Sequence, residues 1–218
     1  MSIDLRLIVI TDSALAAPRS VEEVVDIALE AGAPAIQLRN KSATPAELYQ
    51  QAIELRDLTR RYGALLFVND RLDVALAAEA DGVHLGPEDL PIPAARAAVR
   101  SAGRNHGFLI GASTDDPLLA ARAEAEGAAY IGCGAVFGTT SKPDVGDERI
   151  GTDRLAEVVA AVSIPVVGIG GITPDNVAAV AATGAAGAAA LSAVMTAPDL
   201  QTTVRRLLTA FPPGPGAG

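Results

Sequence analysis

Two lysines stand out in a chain that otherwise uses arginine for its positive charge. Lys41 and Lys142 are the only lysines, against fifteen arginines. An ammonium is a compact point charge and a guanidinium is a planar fork, so the lysines could stand where only the smaller group fits. The alternative interpretation is a general bias toward arginine in the composition, with two lysines left by chance. With Arg39, they would suit a ligand of several negative charges such as pyrophosphate, the alternative being ordinary solvated loop charge.

Two carboxylates add a metal hypothesis. Asp70 follows the third apolar segment of the chain and Asp89 follows the fourth. One or two carboxylates completed by substrate phosphates are typical ligands of Mg²⁺. The competing interpretations are a helix N-cap for Asp70 and a plain loop carboxylate for Asp89. A zinc site is excluded in practice, since His84, His106 and Cys133 are the only residues of the required types.

Eight short apolar segments alternate with helical segments and must position these groups. The predicted strands are 5–10, 35–39, 64–68, 82–85, 108–113, 129–133, 165–169 and 188–191. Continuous apolar runs are typical of strands covered on both faces, and the alternation favours a parallel sheet. Eight units predict an α/β protein with one (β/α)8 TIM barrel over residues 1–211, with an open doubly wound sheet as the alternative. The Pro/Gly tail, 212–218, is predicted to be disordered.

Polar residues gather after the predicted strands, where a TIM barrel carries its active site. They are Gln37, Arg39, Lys41, Asn69, Asp70, Asp89, Ser113, Thr139, Thr140, Ser141, Lys142 and Ser192. The opposite ends of the strands carry ordinary turn residues. This segregation favours an enzyme over a structural protein.

A glycine turn after the seventh strand favours phosphate. Gly168-Ile-Gly170-Gly171 precedes Thr173-Pro174, which is expected to cap the next helix, and Gly187 to Ser192 offers a second turn. Glycines let backbone N–H groups approach an anion, and loops seven and eight are the usual phosphate cradle of this fold. The glycine pattern alone is weak, because many glycines only make turns. Two anion sites would suit the condensation of two phosphorylated substrates with loss of pyrophosphate.

Composition excludes several other functions. The net charge of −9 argues against a general nucleic-acid binder, and 3% aromatic residues with no Trp argue against a base-stacking platform. Half of the residues are hydrophobic, and this content excludes general disorder. A single cysteine excludes an internal disulfide, and neither a signal-peptide pattern nor a run of about 18 apolar residues is present. We expect a soluble, cytoplasmic protein without a membrane partner.

Several motifs together resemble the thiamine phosphate synthase (thiamine-phosphate pyrophosphorylase) family over about residues 5–208. The matching stretches are Gln37-Leu-Arg-Asn-Lys41, Asn69-Asp70, Asp81-Gly-Val-His-Leu-Gly-Pro-Glu-Asp89, Gly111-Ala-Ser113, Gly134-Ala-Val-Phe-Gly-Thr-Thr-Ser-Lys142, Gly168-Ile-Gly-Gly-Ile-Thr173 and Leu191-Ser192. Each piece is common, whereas their combination and order are specific.

The resemblance implies a Mg²⁺-assisted transferase. Such an enzyme joins 4-amino-2-methyl-5-hydroxymethylpyrimidine diphosphate to 4-methyl-5-hydroxyethylthiazole phosphate and releases pyrophosphate, which leaves before the thiazole nitrogen attacks. The small-molecule substrates would be its partners, and a homo-oligomer is compatible with the sequence.

The resemblance also assigns the site residues. The implied pyrimidine diphosphate ligands are Gln37, Arg39, Lys41, Asn69, Ser113 and Lys142, with Arg39, Lys41, Ser113 and Lys142 also serving catalysis. The implied Mg²⁺ ligands are Asp70 and Asp89. The implied thiazole phosphate ligands are Thr139, Ser141, Gly171, Leu191 and Ser192, and Thr140 beside them is a further candidate for substrate binding.

Two other functions compete with this one. The related thiazole tautomerases use a histidine where this chain has Ala135 and lack the second carboxylate, here Asp89. A non-catalytic phosphate-binding barrel would need neither the aspartate pair nor the lysine pair. Ser113 has no histidine near it in sequence, so no Ser-His-Asp triad is predicted. His84 is expected to be a hydrogen-bonded core residue, His106 an exposed loop residue and Cys133 a small buried one.

Overall fold

The eight apolar segments form the strands of a closed parallel barrel, which confirms the predicted (β/α)8 fold. The computed structural model describes residues 3–104, 106–138 and 149–212. The strands are β1 (Leu7–Ile10), β2 (Ala35–Leu38), β3 (Leu65–Asn69), β4 (Gly82–Leu85), β5 (Leu109–Ser113), β6 (Tyr130–Cys133), β7 (Val166–Ile169) and β8 (Gly187–Ala190). They pair in chain order, and β1 closes the barrel on β8 through the register Leu7–Ala188, Ile8–Ala189 and Val9–Ala190.

Helices follow the strands and cover the barrel. Their bounds are α1 (Ser13–Ala16), α2 (Val21–Glu30), α3 (Pro45–Tyr62), α4 (Leu72–Ala77), α5 (Ile92–Ser101), α6 (Pro117–Ala125), α7 (Gly151–Ala161), α8 (Val177–Ala181), α9 (Ser192–Met195) and α10 (Leu200–Thr209). The short helices α1 and α9 are not anticipated from the sequence. Each has four residues, too few to show a helical period.

The strands alternate between two hydrophobic cores. One face of each strand packs against the helices in a large core that includes Leu38, Val68 and Ile110. The other face fills the barrel, with Ile8, Phe67, Tyr130 and other apolar side chains. Side chains at alternate positions of a strand point to opposite faces, so this register also decides which polar residues point into the barrel.

Helix starts follow the Ser/Thr-x-x-Glu sequence signal of a capping box in two cases and depart from a predicted cap in a third. Ser20 with Glu23 and Thr44 with Glu47 form complete capping boxes at α2 and α3. The predicted cap at Thr173 is wrong. The helix α8 begins only at Val177, because the chain first forms a turn held by the Asn176 side chain, which accepts from the Thr173 N–H and donates to the Gly171 carbonyl.

Two further sequence predictions concern the C-terminal tail and membrane-spanning segments. Of the proposed tail, 212–218, only Pro212 belongs to the described residues. Across the described part of the chain, no helix has both the length and the apolar character needed to cross a bilayer.

Candidate active site

A cleft opens at the carboxyl ends of the strands. It holds about 950 Å³, including its opening to solvent. Seven of the sequence-predicted site residues line it: Gln37, Arg39, Asn69, Ser113, Gly171, Leu191 and Ser192. These residues come from five different strand ends, so the barrel brings together groups up to 155 positions apart along the chain.

Strand register turns the polar side chains inward. Gln37, Asn69, His84 and Ser113 belong to the inward-facing set on β2, β3, β4 and β5, where Asn69 pairs with His84 and Gln37 with Phe67. Gln37 is 4% exposed and His84 is 7% exposed. A one-residue slip would send these groups into the helix layer.

Arg39 is held just beyond β2. Its backbone N–H donates to Thr11 Oγ1 at 2.9 Å, and the Thr11 hydroxyl donates to the Arg39 carbonyl at 3.2 Å. Its guanidinium lies 3.4 Å from Asp12 Oδ2, and its side chain is 12% exposed. Since Asp12 also caps α1 through the N–H groups of Ala14 and Leu15, this carboxylate is shared, and Arg39 keeps donors for an anion in the cleft.

A second cleft adjoins the first through Asn69. Its lining includes Lys41, Asn69, Asp70 and Arg71. Lys41 is exposed, whereas Asn69 and Asp70 are half-buried. Arg39 lines the first cleft and Lys41 lines the second, so the two side chains lie on either side of the rim that separates the clefts at Asn69.

Asp70 and Asp89 form a carboxyl pair at this rim. Burial, a hydrogen bond with Asp89 and repulsion from its charge raise the pKa of Asp70 to about 6, while Lys41 and Arg39 act in the opposite direction. Asp89 is fixed by accepting the Gly86 N–H at 2.6 Å. The helix-cap interpretation of Asp70 is wrong, because Arg71 occupies the N-cap position of α4 and Asp70 lies before it.

The donor set of this pair suits a hard cation. Two half-buried carboxyl groups in hydrogen-bond contact can share one proton or one cation, and neither has a cationic side chain in salt-bridge contact within the described residues. No cluster of three or more His, Cys, Asp or Glu residues is found in the described ranges. A two-carboxylate site leaves most ligand positions for water and substrate oxygens, as Mg²⁺ prefers.

The opposite wall of the main cleft is made by the ends of β7 and β8. Gly170 and Gly171 have φ of +98° and +64°. A Cβ at Gly171 would lie 2.7 Å from the Gly138 carbonyl oxygen, so the β6 loop packs directly on this turn. Both conditions require glycine. The sequence predicts the glycine turn here, but the five-residue helix α8 starts six residues later and does not flank it directly.

The structure gives Ser113 a histidine partner that sequence spacing does not reveal. Ser113 Oγ lies 2.8 Å from His84 Nε2, and His84 Nδ1 lies 2.9 Å from Tyr130 Oη. His84 is a hydrogen-bonded core residue as expected, and it also lines the cleft. The partner on its Nδ1 is a phenol and not the carboxylate of a triad. Period-two alternation on β4, β5 and β6 is the signal that could have found this group.

Other predicted residues lie apart from the cleft or outside the described ranges. His106 is exposed, and Cys133 is fully buried. Burial raises the pKa of the Cys133 thiol to about 12, so it is protonated and unreactive at neutral pH. Thr139, Thr140, Ser141 and Lys142 fall outside the described residues, and their predicted roles stay predictions.

Comparisons with known proteins all point to one family. The family model described as thiamine monophosphate synthase matches residues 7–194. The thiamine-phosphate synthase of Natronomonas pharaonis is 46% identical over 211 residues, covering 96% of each chain. That of Pyrococcus abyssi is 48% identical over 203 residues, covering 93% of each chain.

Solved structures give the same result. The thiamine phosphate pyrophosphorylase of Pyrococcus furiosus superposes with a TM-score of 0.85 at 45% identity, covering 95% of this chain and 96% of its own. A 3-hexulose-6-phosphate synthase at 18% identity and a TM-score of 0.68 shares the fold alone. The resemblance drawn from the sequence motifs is thus confirmed, and the chain belongs to the thiamine monophosphate synthase family.

Proposed function

We propose that the chain condenses 4-amino-2-methyl-5-hydroxymethylpyrimidine diphosphate with 4-methyl-5-hydroxyethylthiazole phosphate, forming thiamine phosphate and pyrophosphate. Family membership makes it a transferase of thiamine biosynthesis, and its curated relatives are named thiamine-phosphate synthases. The observation that carries the specific reaction is the meeting of Arg39, Lys41, Asp70 and Asp89 at one rim of a cleft whose far wall is a glycine turn.

The cationic rim would receive the diphosphate. The charges of Arg39 and Lys41 both lower the pKa of Asp70, so the two cations lie close enough to each other to bind one anion together. Asp70 and Asp89 would hold Mg²⁺, which when bound offsets the charge that develops on a departing diphosphate. The Ser113 hydroxyl and the Asn69 amide line the same cleft and can donate to phosphate oxygens.

The far wall would hold the second substrate. Gly170, Gly171, Leu191 and Ser192 line the cleft at the ends of β7 and β8. Glycines there would let backbone N–H groups approach an anion. A phosphate anchored there would leave the thiazole ring between the two walls, facing the pyrimidine carbon. Alignment of this kind lowers the entropic part of the barrier.

The reaction needs little proton transfer from the protein. The C–O bond between the pyrimidine methylene and the diphosphate breaks, and the diphosphate takes the electron pair. The resulting pyrimidinyl-methyl cation is then captured by the lone pair of the thiazole nitrogen, which forms the new C–N bond. The residues described here stabilise the leaving group and align the nucleophile, and no general base is required.

The competing functions lack support in the cleft. A tautomerase would need its histidine where Ala135 lines the main cleft, and a methyl group cannot move a proton. A phosphate sensor would not need the paired carboxyls of Asp70 and Asp89, which cost free energy when they lie side by side without a cation.

A two-substrate assay tests the proposal. Purified protein should release pyrophosphate only when both substrates and Mg²⁺ are present, and thiamine phosphate should form in equal amount. Each substrate alone serves as the control for simple diphosphate hydrolysis. Full turnover in the presence of EDTA would contradict the roles of Asp70 and Asp89, and absence of product with all components present would contradict the function itself.

A further inference from the structure

A hydrogen-bonded series of side chains crosses the inside of the barrel beneath the cleft. Tyr130 Oη on β6 lies 2.9 Å from His84 Nδ1 on β4, and His84 Nε2 lies 2.8 Å from Ser113 Oγ on β5. Tyr130 is 1% exposed, and the amide of Gln37 on β2 also interacts with its phenol oxygen. Gln37 and Ser113, which border the cleft, are thus joined through His84, which also lines it, and Tyr130, which does not.

Neighbouring strands leave room for these rings. A Cβ at Gly132 would lie 2.9 Å from His84 Cε1, and a Cβ at Gly111 would overlap the Tyr130 ring. The edge of Phe67 packs on Tyr130 with ring centroids 5.3 Å apart. Close packing on several sides restricts both rings to one orientation, which a side chain merely filling the barrel would not need.

The partners fix the direction of the hydrogen bonds. Burial raises the pKa of Tyr130 far above its ordinary value, so the phenol keeps its proton. The Gln37 interaction acts in the opposite direction, as an amide N–H donated to the phenol oxygen does. The Tyr130 O–H therefore donates to His84 Nδ1, and the hydrogen of the imidazole lies on Nε2 and is donated to Ser113 Oγ.

We propose that Tyr130 and His84 are positioning residues that make Ser113 a hydrogen-bond donor, and Gln37 an acceptor, toward the pyrimidine diphosphate. Because Ser113 Oγ accepts from His84, its own hydrogen is free to turn to a phosphate oxygen. Because the Gln37 amide nitrogen faces Tyr130, its carbonyl faces the cleft, where it can accept from an amino group. These substrate roles rest on the proposed function, whereas the direction of the hydrogen bonds does not.

Tyr130→Phe tests the first link without changing the packing. Loss of the phenol lets the imidazole hydrogen move to Nδ1, so Ser113 would then donate to His84 and no longer to the substrate. We expect kcat to fall about tenfold, the equivalent of one lost hydrogen bond, with an unchanged KM for the thiazole phosphate. Tyr62→Phe is the matched control, since the Tyr62 hydroxyl bonds to Asp26 on the surface, and it should leave kcat unchanged.

A double-mutant cycle separates positioning from general disturbance. In a Ser113→Ala background, Tyr130→Phe should cost less than about threefold in kcat, because the group it acts through is already gone. An equal cost in both backgrounds would overturn the inference. His84→Gln, which retains an N–H near the Nε2 position, should keep more activity than His84→Ala.

The position of the imidazole hydrogen of His84 can be measured directly by NMR, without substrate. The chain has only two histidines, so a His106→Gln variant with ¹⁵N-labelled histidine shows His84 alone. We expect Nδ1 to resonate as the unprotonated nitrogen and Nε2 as the protonated one, and Tyr130→Phe to change that pattern. Protonated Nδ1 in the otherwise unaltered protein would overturn the inference even if pyrophosphate release is normal. The expected spectrum from a protein that releases no pyrophosphate would instead leave the hydrogen-bond direction standing and reject the proposed function.

Discussion

Asp70 combines an unfavourable backbone conformation with an unfavourable charge environment. Its φ is +64°, in the left-handed region that non-glycine residues seldom adopt. Its carboxyl is half-buried beside that of Asp89. Strain and repulsion at one residue are typical of a site shaped for a ligand, since the surrounding structure must maintain both.

Replacing Asp70 by Asn should raise the stability of the metal-free protein. The folded state raises the pKa of Asp70 from 3.8 to about 6, so folding is favoured by its proton below pH 3.8 and this contribution is lost as the pH rises to about 6. Asn imitates the protonated form and tolerates positive φ. Thermal melts without metal should therefore show Asp70→Asn above the unaltered protein at pH 7, with the difference vanishing below pH 3.8.

The same substitution should lower activity. A neutral amide binds Mg²⁺ poorly, and we expect kcat/KM to fall by about a hundredfold, as changes around metal sites commonly do. Mg²⁺ with pyrophosphate should raise the melting temperature of the unaltered protein but not of Asp70→Asn. Glu88→Gln removes a neighbouring exposed charge and is the control. An unchanged kcat/KM for Asp70→Asn would remove the metal assignment.

Lys41→Arg tests whether the rarity of lysine reflects function. The exposed ammonium stands at the second cleft, where a guanidinium is larger and binds in a different geometry. Steady-state kinetics should show a loss of about tenfold or more in kcat/KM for the pyrimidine diphosphate, with the melting temperature unchanged. Full activity would show that the lysine count is only a composition bias.

At the scale of elements, the turn after β7 joins two loops of the cleft. Gly171 has φ of +64°, and the β6 loop lies against it. Gly63, at the C-terminus of α3, has φ of +66° with no atom within 4 Å of its missing Cβ. The two glycines share a conformation and differ in their surroundings, which makes Gly63 a matched control.

Gly171→Ala should raise the KM for thiazole phosphate, whereas Gly63→Ala should not. Both substitutions place a side chain at positive φ, at a cost of about 1–2 kcal/mol in the free energy of unfolding. Only the Cβ at position 171 also displaces the β6 loop from the cleft wall. We expect at least about a tenfold rise in that KM. Equal kinetic effects in the two variants would mean that the turn acts only through stability.

The strands could be predicted from the sequence because each is an apolar run bounded by polar or turn residues. Predicted and observed bounds differ by only one or two residues, as for 5–10 against Leu7–Ile10. The failures are short elements. At α8 the Thr-Pro signal was misleading because Asn176 organises the turn first. Four-residue helices such as α1 carry too few residues for a periodic signal.

The sequence predicts which residues belong to the candidate site better than it predicts which of their side chains are in contact. Strand order places Arg39, Asp70 and Asp89 at one end of the barrel, and that follows from topology alone. The contact between His84 and Ser113 depends on the pairing register of β4 with β5, in which His84 lies opposite Gly111. A register is set by side-chain packing across strands, which one sequence does not display.

On the scale of the whole molecule, stability and catalysis occupy different layers. The helix layer is held by apolar contacts such as those of Leu55 on α3, which is fully buried in the larger core. The cleft is built from strand ends and the loops after them. TIM barrels generally divide the two tasks in this way, which allows loops to change without loss of the fold.

Leu55→Ala should therefore weaken the fold and leave the chemistry intact. Removing a fully buried leucine side chain costs about 2–5 kcal/mol in the free energy of unfolding, because the cavity closes only in part. Leu118→Ala is the control, since that side chain is 81% exposed and its loss should cost little. Urea titrations measure the cost, and kcat is compared at a temperature where both variants are folded. If kcat of Leu55→Ala fell tenfold there, the helix layer would be helping to set the geometry of the strand ends, and the separation of layers would be wrong.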